Sequence, residues 1–376
     1  MWRETSEPEM PSERAAPLKL LTRATATSVR MTVRRSTVCY ANVITRMQDV
    51  QGAEAPDSRT GNGESVRRAK AMVAGRVRTP SVHCRNGLGV AVPEVLMPAL
   101  AGRPANRIGL GTMQLTGRGA FGPPRDRDEA IAVLRRAVDL GVNHIDTAHY
   151  YGPGVTNELI RSALHPYPDD LVLVSKVGAA RDENGGWHEA QRPDELRAGV
   201  MANLRELGIE SMPVVNLRRH PGTDVPFPEQ LDAMHAMRAE GLIEAVGISN
   251  VTVDEYQAAR VRGEVACVQN LFNLLDRSDQ QLFDLCAADG IPYVPFFPLR
   301  SPRGDAGPVT DAEPVKEAAD RLGATPAQVA LAWLLRQAPN VLLIPGTSSV
   351  EHLEENVASV GVELDPATIR ALEELA

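Results

Sequence analysis

Residues 127–152 read RDEAIAVLRRAVDLGVNHIDTAHYYG. Arg127–Leu140 is an amphipathic helical pattern, Gly141 sits just past its end, and Asn143–Ala148 is a short apolar run of strand type. The same unit repeats outward in both directions. Strand-like runs occur at Ile108–Met113, Leu171–Val177, Pro213–Arg218, Ala245–Ser249, Val265–Leu271, Pro292–Pro298 and Val341–Pro345. Helical patterns lie between them at Asn157–Leu164, Pro193–Leu207, Pro228–Glu240, Val253–Arg260, Gln280–Asp289, Glu313–Leu322 and Pro326–Gln337. Pro193 and Pro326 fall at first helical positions, and Gly208, Gly241, Gly290 and Gly323 fall just past helix ends. Eight strands, each followed by a helix over about 270 residues, predict an α/β fold, a (β/α)8 TIM barrel. A doubly wound sheet would carry GxGxxG after its first strand, and Gly109-Leu110-Gly111 lacks the third glycine.

The 376-residue chain is 43% hydrophobic and 23% charged, an ordinary globular composition. No run approaches the roughly 18 apolar residues of a spanning helix, so no membrane span is expected. The four cysteines form no CxxC pair, and Cys267 and Cys286 fall in apolar stretches. No metal site and a reducing, cytoplasmic compartment are the expectation. Charge divides the chain. Residues 1–100 hold 15 Lys+Arg and 9 Asp+Glu, a net of +6; the remaining 25 basic and 39 acidic residues give −14, and the sum is the total of −8. Residues 1–94 lack sustained periodicity and bury too little apolar surface to offset ordering entropy. They are expected to be a low-complexity, disordered N-terminal extension, with the barrel spanning residues 95–376. Scattered charge nearly uninterleaved with aromatics argues against nucleic-acid binding, and Glu4, Glu7, Glu9 and Glu13 argue against a transit peptide.

Chemistry in such a barrel belongs at the C-terminal ends of the strands. Asp146 and Lys176 end adjacent strands within apolar surroundings, where a charge is costly unless paired. A salt bridge that only ties the barrel is one outcome. A catalytic set is the other, with Tyr151 five residues beyond Asp146. An ammonium beside a phenol favours its ionisation, and the phenol can donate a proton to a carbonyl oxygen. Tyr150 is an equal candidate by spacing alone.

The chain resembles the aldo-keto reductase family. The matching pieces are Gly109-Leu110-Gly111-Thr112-Met113, Ile145 through Gly152, Val174-Ser175-Lys176, Gly247-Ile248-Ser249-Asn250, Val268-Gln269-Asn270 and Ile344-Pro345-Gly346-Thr347, followed by His352 and Glu355-Asn356. They stand in family order over roughly residues 97–376. The resemblance implies a metal-independent NAD(P)H-linked carbonyl reductase and selects Tyr151 as the acid, with Asp146 and Lys176. It also implies that Ser249, Asn250 and Gln269 hold the nicotinamide carboxamide, and that Phe297, before Pro298 and Leu299, stacks on the ring. Gly346, Thr347, Ser348, His352, Glu355 and Asn356 are implied to take the remainder of the cofactor. Where many members place Lys and Arg, this chain has Gly346 and His352. Donors at Thr347, Ser348 and His352, with no acid in the Gly346–Val350 turn, favour NADP(H).

Strand 4 departs from the family pattern. Its usual histidine aligns with Arg218, while His220 lies nearby at the same strand parity. Arg218 is taken as the fourth catalytic residue by spacing. Phe121, Tyr150, Trp187 and Phe227 lie on loops that could line an aromatic pocket. Gly117–Pro124, Asp182–His188 and Ser301–Pro308 read as flexible loops over the mouth. The expected function is reduction of a small-molecule aldehyde or ketone. One alternative is a Schiff-base aldolase using Lys176, which would need an uncharged amine beside Asp146. The other is a nucleotide-sensing subunit with little turnover.

Overall fold

The structure is a computed structural model that describes residues 98–220, 222–300 and 307–375. The extension expected over residues 1–94 lies outside the described residues, as do Cys39, Cys84 and most of the 301–308 loop.

A short antiparallel hairpin, β1 (Ala99–Leu100) with β2 (Arg103–Pro104), precedes the barrel. Six parallel strands then neighbour one another in chain order: β3 (Leu110–Gly111), β4 (His144–Asp146), β5 (Val172–Val177), β8 (Met212–Arg218), β9 (Ile243–Ser249) and β10 (Val268–Gln269). An antiparallel pair, β6 (Ala179–Arg181) and β7 (Trp187–Glu189), rises between β5 and β8. The predicted seventh and eighth strands appear as isolated parallel bridges. Tyr293 pairs with Val268 and Val341, and Leu343 and Gly346 pair with Ile108 and Gly111. These bridges close the ring. They are thin because Pro292, Pro295, Pro298 and Pro345 have no N–H for the ladder.

The helices are α1 (Arg127–Asp139), α2 (Val155–Leu164), α3 (Pro193–Leu207), α4 (Phe227–Ala239), α5 (Val253–Arg262), α6 (Gln280–Asp289), α7 (Glu313–Leu322), α8 (Pro326–Gln337), α9 (Val350–Ala358) and α10 (Pro366–Glu373). Both α7 and α8 follow the seventh strand, so α9 is the eighth crossover helix and α10 an addition. The start of α8 is a capping box: Gln328 N–H donates to Thr325 Oγ at 3.3 Å and Thr325 N–H to Gln328 Oε1 at 2.9 Å. Gly208 and Gly323 end α3 and α7 with φ of 69° and 63°, as their sequence positions predict.

Strand alternation sorts the core into two shells. Leu173, Val215, Leu217 and Ile248 face outward and pack with helix residues such as Leu134, Leu204 and Met234. Val172, Val174, Val214, Ala245, Cys267 and Leu342 face inward, and Leu100 and Ala105 join them. The β1–β2 hairpin therefore plugs one end and leaves the strand C-termini as the open end. His144 lies inside as well, its Nε2 2.9 Å from Asn106 O. A Cβ at Gly109 would stand 2.1 Å from that ring, so only glycine fits opposite it.

Candidate active site

Asp146, Lys176, Arg218, Ser249 and Gln269 project inward at the open end. Register levels Arg218 with Ser249 and Ser249 with Gln269, while Asp146 pairs with Val174 and Lys176 with Asn216, so the two charged residues stand on the preceding steps of the barrel's stagger. Above them lies a cavity of 470 Å³, lined by Asp146, Tyr151, Lys176, Arg218, Gln269 and the aromatic rings described below.

The floor is a buried ion pair. Lys176 Nζ donates to Asp146 Oδ1 and, at 3.1 Å, to Thr147 O. Gln269 Nε2 donates to Asp146 Oδ2 at 2.8 Å. Both carboxylate oxygens are thus partnered, which a buried charge requires. Lys176 Nζ stands 4.9 Å from the Tyr151 ring centroid.

Two phenols compete for the acid role, and burial separates them. Tyr150 is 2% exposed, and its hydroxyl is closed to water without a hydrogen-bond partner. Tyr151 is the more open, at 8%, and its hydroxyl is not among the closed-off atoms. The expectation that a neighbouring cation lowers the acid's pKa is corrected. Burial pushes the Tyr151 phenol up, Asp146 adds to this, and Arg218 pulls the other way. Desolvation outweighs the favourable charge.

Parity holds on strand 4. Arg218 and His220 both line the cavity, while Arg219 between them turns away to Glu255 at 2.7 Å and Gln230 at 2.9 Å. Arg218 Nη1 lies 3.5 Å from Ser249 Oγ, and its guanidinium lies 5.1 Å from the Phe296 ring centroid. His220 is exposed at the rim, 3.5 Å from Glu189. Phe296 escaped the sequence reading. The only signal was a second phenylalanine beside Phe297.

The segment expected to be a flexible loop at Asp182–His188 is instead the turn of the β6–β7 hairpin together with the first two residues of β7. Asp182 Oδ1 accepts from Asn184 N–H at 2.8 Å and Gly186 N–H at 2.7 Å, and the Gly186 bond leads in holding its pKa down. Arg181 stacks 3.9 Å from the Trp187 ring centroid and donates to Gly119 O at 2.9 Å, tying hairpin to loop. Trp187 meets Tyr150 edge-on at 5.6 Å, and Tyr150 meets Tyr151 at 5.4 Å. The wall is therefore aromatic, as expected for Tyr150 and Trp187. Phe227 is not part of it; it packs beneath Arg219 in α4.

The implied cofactor residues divide. Gln269, Phe297, Pro298, Leu299 and Gly346 line the cavity, and Ser249 touches it through Arg218. Gln269 Oε1 is buried with no partner, an acceptor suited to an amide N–H. Phe297 takes a positive φ of 52°. Asn250 does not face the cavity; it is exposed and donates to Arg219 O at 2.9 Å. Ser349 caps α9, Thr347 Oγ accepts from Ser349 N–H at 3.1 Å, and Ser348 and His352 are exposed beside them. Glu355 and Asn356 lie further along α9, outside the cavity lining, with Asn356 buried. The turn itself holds no acid, yet α1 brings one to it. Glu129 Oε1 accepts from Val350 N–H, at the first residue of α9, at 3.2 Å.

The model of the aldo/keto reductase family matches residues 107–376. The chain belongs to the aldo-keto reductase family. This reductase is 48% identical over 279 residues to pyridoxine 4-dehydrogenase of Escherichia coli (strain K12), covering 73% of this chain and 96% of that protein. Among solved structures it matches the thermostable aldo-keto reductase Tm1743, crystallised with the inhibitor epalrestat, with TM-score 0.62 and 29% identity over 74% of this chain and 98% of that one. It also matches an aldo/keto reductase from Klebsiella pneumoniae in complex with NADP and acetate, with TM-score 0.60 and 28% identity over 72% and 92% of the two chains. The reductase transfers hydride between a nicotinamide cofactor and a small carbonyl substrate. Among the described residues no helix is long and apolar enough to cross a membrane.

Proposed function

We propose that the reductase reduces an aromatic aldehyde of the pyridoxal type with NADPH, using Tyr151 as proton donor, Lys176 and Asp146 as its electrostatic support and Arg218 as substrate anchor. The Lys176–Asp146 pair beneath Tyr151, on the floor of a cavity walled by aromatic rings, carries this proposal.

Burial keeps the Tyr151 phenol protonated in the free protein. It can therefore give its proton to a carbonyl oxygen held above it. A dihydronicotinamide, if held by Ser249, Gln269 and Phe297, would supply the hydride for the carbonyl carbon. Charge developing on the phenolate is met by fixed cations at Lys176 and Arg218, in a site partly closed to water. Gln269 Oε1 is free to accept from the carboxamide, since its Nε2 is committed to Asp146. Phe297 and Pro298 offer an apolar face for the ring.

The substrate class draws on the relative's name and on Arg218. Pyridoxal carries a phenol-like ring hydroxyl beside its aldehyde. Arg218 is permanently charged and lies over Phe296, so it suits a planar, anionic aromatic oxygen better than a neutral imidazole would. NADP(H) is favoured by Thr347, Ser348, His352 and the N-terminus of α9. Glu129 opposes it, because a carboxylate already meets that terminus.

Reduction of pyridoxal, unhydroxylated pyridine aldehydes and aliphatic aldehydes, each with NADPH and NADH, tests the proposal. Pyridoxal with NADPH should give the highest kcat/KM. Preference for aliphatic aldehydes refutes the substrate class, and preference for NADH refutes the cofactor. His352→Ala should weaken NADPH binding on the order of tenfold and spare NADH, while Glu129→Gln should tighten NADPH alone.

A further inference from the structure

Directly behind the ion pair lies a buried polar network that the reaction chemistry leaves unused. Asp146 and Lys176 face into the barrel, so Thr147 and Ser175, their neighbours in the chain, face outward. Thr147, Thr156, Asn157, Ser175 and Asn203 are all fully buried. Thr147 Oγ donates to Asn157 Oδ1 at 2.8 Å and lies 2.9 Å from Thr156 Oγ. Ser175 Oγ donates to Asn203 Oδ1 at 2.5 Å. Asn157 Nδ2 joins the two arms, donating to Asn203 Oδ1 at 3.0 Å and to Glu206 Oε2 at 2.8 Å. Asn203 Nδ2 donates to Gly199 O at 2.8 Å, one turn back in α3.

Apolar side chains would fill this space without desolvating any polar group. The outward positions on either side of Ser175, at Leu173 and Val177, are indeed apolar. The polar exception falls on the two residues that adjoin the charged pair. Thr147 is held at both ends: its hydroxyl by Asn157, and its carbonyl by the Lys176 ammonium. Ser175 is held one residue before Lys176. Hydrogen bonds thus run from α2 through Thr147 to Lys176 Nζ, and from α3 to Ser175 beside Lys176 in the chain.

We propose that Asn157 and Asn203 are positioning residues, an amide clamp from α2 and α3 that sets Lys176 against Tyr151. This rests on the assignment of Tyr151 and Lys176 made above. The clamp touches neither substrate nor cofactor. Its loss should therefore appear in kcat and in the ionisation of the acid, not in binding.

Asn203→Ala and Ser175→Ala, with Ser175→Thr as the variant that restores the hydroxyl, test it in the full chain. Each alanine variant should lower kcat by roughly tenfold to a hundredfold, the scale expected when a catalytic group is displaced by an ångström. KM and the NADPH dissociation constant should stay near wild type. The alkaline limb of the kcat–pH profile should move, and Ser175→Thr should recover it. Soluble variants with lowered Tm but wild-type kcat and pH profile overturn the proposal. If Asn203→Ala does not fold, Ser175→Ala decides alone. Tyr151→Phe is run alongside: if it remains active, the acid assignment has failed; if it is inactive while the alanine variants are unchanged, the clamp has failed.

Discussion

Lys176→Met separates what the ion pair does for the fold from what it does for the reaction. The Lys176 and Asp146 side chains are 3% and 5% exposed. Methionine keeps most of the stem volume, so little cavity opens. The lost charge leaves Asp146 Oδ1 without its cation. Removing one partner of a buried pair costs about 3–5 kcal/mol. Gln269 still donates to Oδ2 at 2.8 Å, and a hydrogen bond to a charged group is worth about 1.5–3 kcal/mol, so the cost should fall near the lower end. For a barrel of this size the Tm should drop by roughly 6–12 °C. Adding Asp146→Asn removes the stranded charge and keeps an acceptor for Gln269. The double variant should regain at least half of the lost stability. It should not regain activity, because no ammonium remains to support the phenolate. We expect kcat to stay down by about 10²–10⁴ in both variants. Thermal melts by circular dichroism, together with NADPH oxidation under saturating substrate, provide both readouts. A single variant within about 1 kcal/mol of wild type refutes the buried-charge reasoning. A double variant with restored turnover refutes the role of Lys176.

Tyr151→Phe should abolish reduction and leave cofactor binding intact, whereas Tyr150→Phe should remain active. Because the Tyr150 hydroxyl is buried without a partner, its removal should be neutral or stabilising by about 1–3 kcal/mol in a urea titration, and a strongly destabilised Tyr150→Phe contradicts the burial described here. Stability should also fall in mild acid. Burial pushes His144 and His149 down to about 4, so between about pH 6.5 and 4 the unfolded chain binds protons that the native state does not. Each histidine then contributes stability that is complete above pH 6.5 and is lost on acidification, about 3 kcal/mol apiece. Asp279, raised by burial to about 6, acts with the opposite sign and offsets one of them, so these three groups together leave a loss of about 3 kcal/mol by pH 4. Urea midpoints across this range check the sum, and a flat profile contradicts it.

What could be read from the sequence follows from local rules. Strand alternation and the cost of an unpaired buried charge were enough to bring Asp146 to Lys176, and parity alone placed both Arg218 and His220 at the mouth. Helix ends were legible where proline or glycine has a conformational reason to stand. The misses share a different cause. Asp182–His188 has a loop's composition, but one carboxylate accepting two backbone N–H groups turns it into an ordered hairpin. The direction of the Tyr151 shift depends on how deeply the ring is buried, which no spacing reveals. Asn250 carries a family motif, yet its left-handed backbone, with φ of 56°, turns the amide to Arg219 O. Glu129 is the clearest case. It belongs to the first helix and meets the N-terminus of α9, 221 residues later in the chain. Closure of the barrel makes α1 and α9 neighbours, and Arg136 reinforces the contact at 2.7 Å from Glu354. A turn free of acids in sequence is therefore not free of them in space, and the proposed preference for NADP(H) has Glu129, from a helix more than 200 residues earlier in the chain, set against His352.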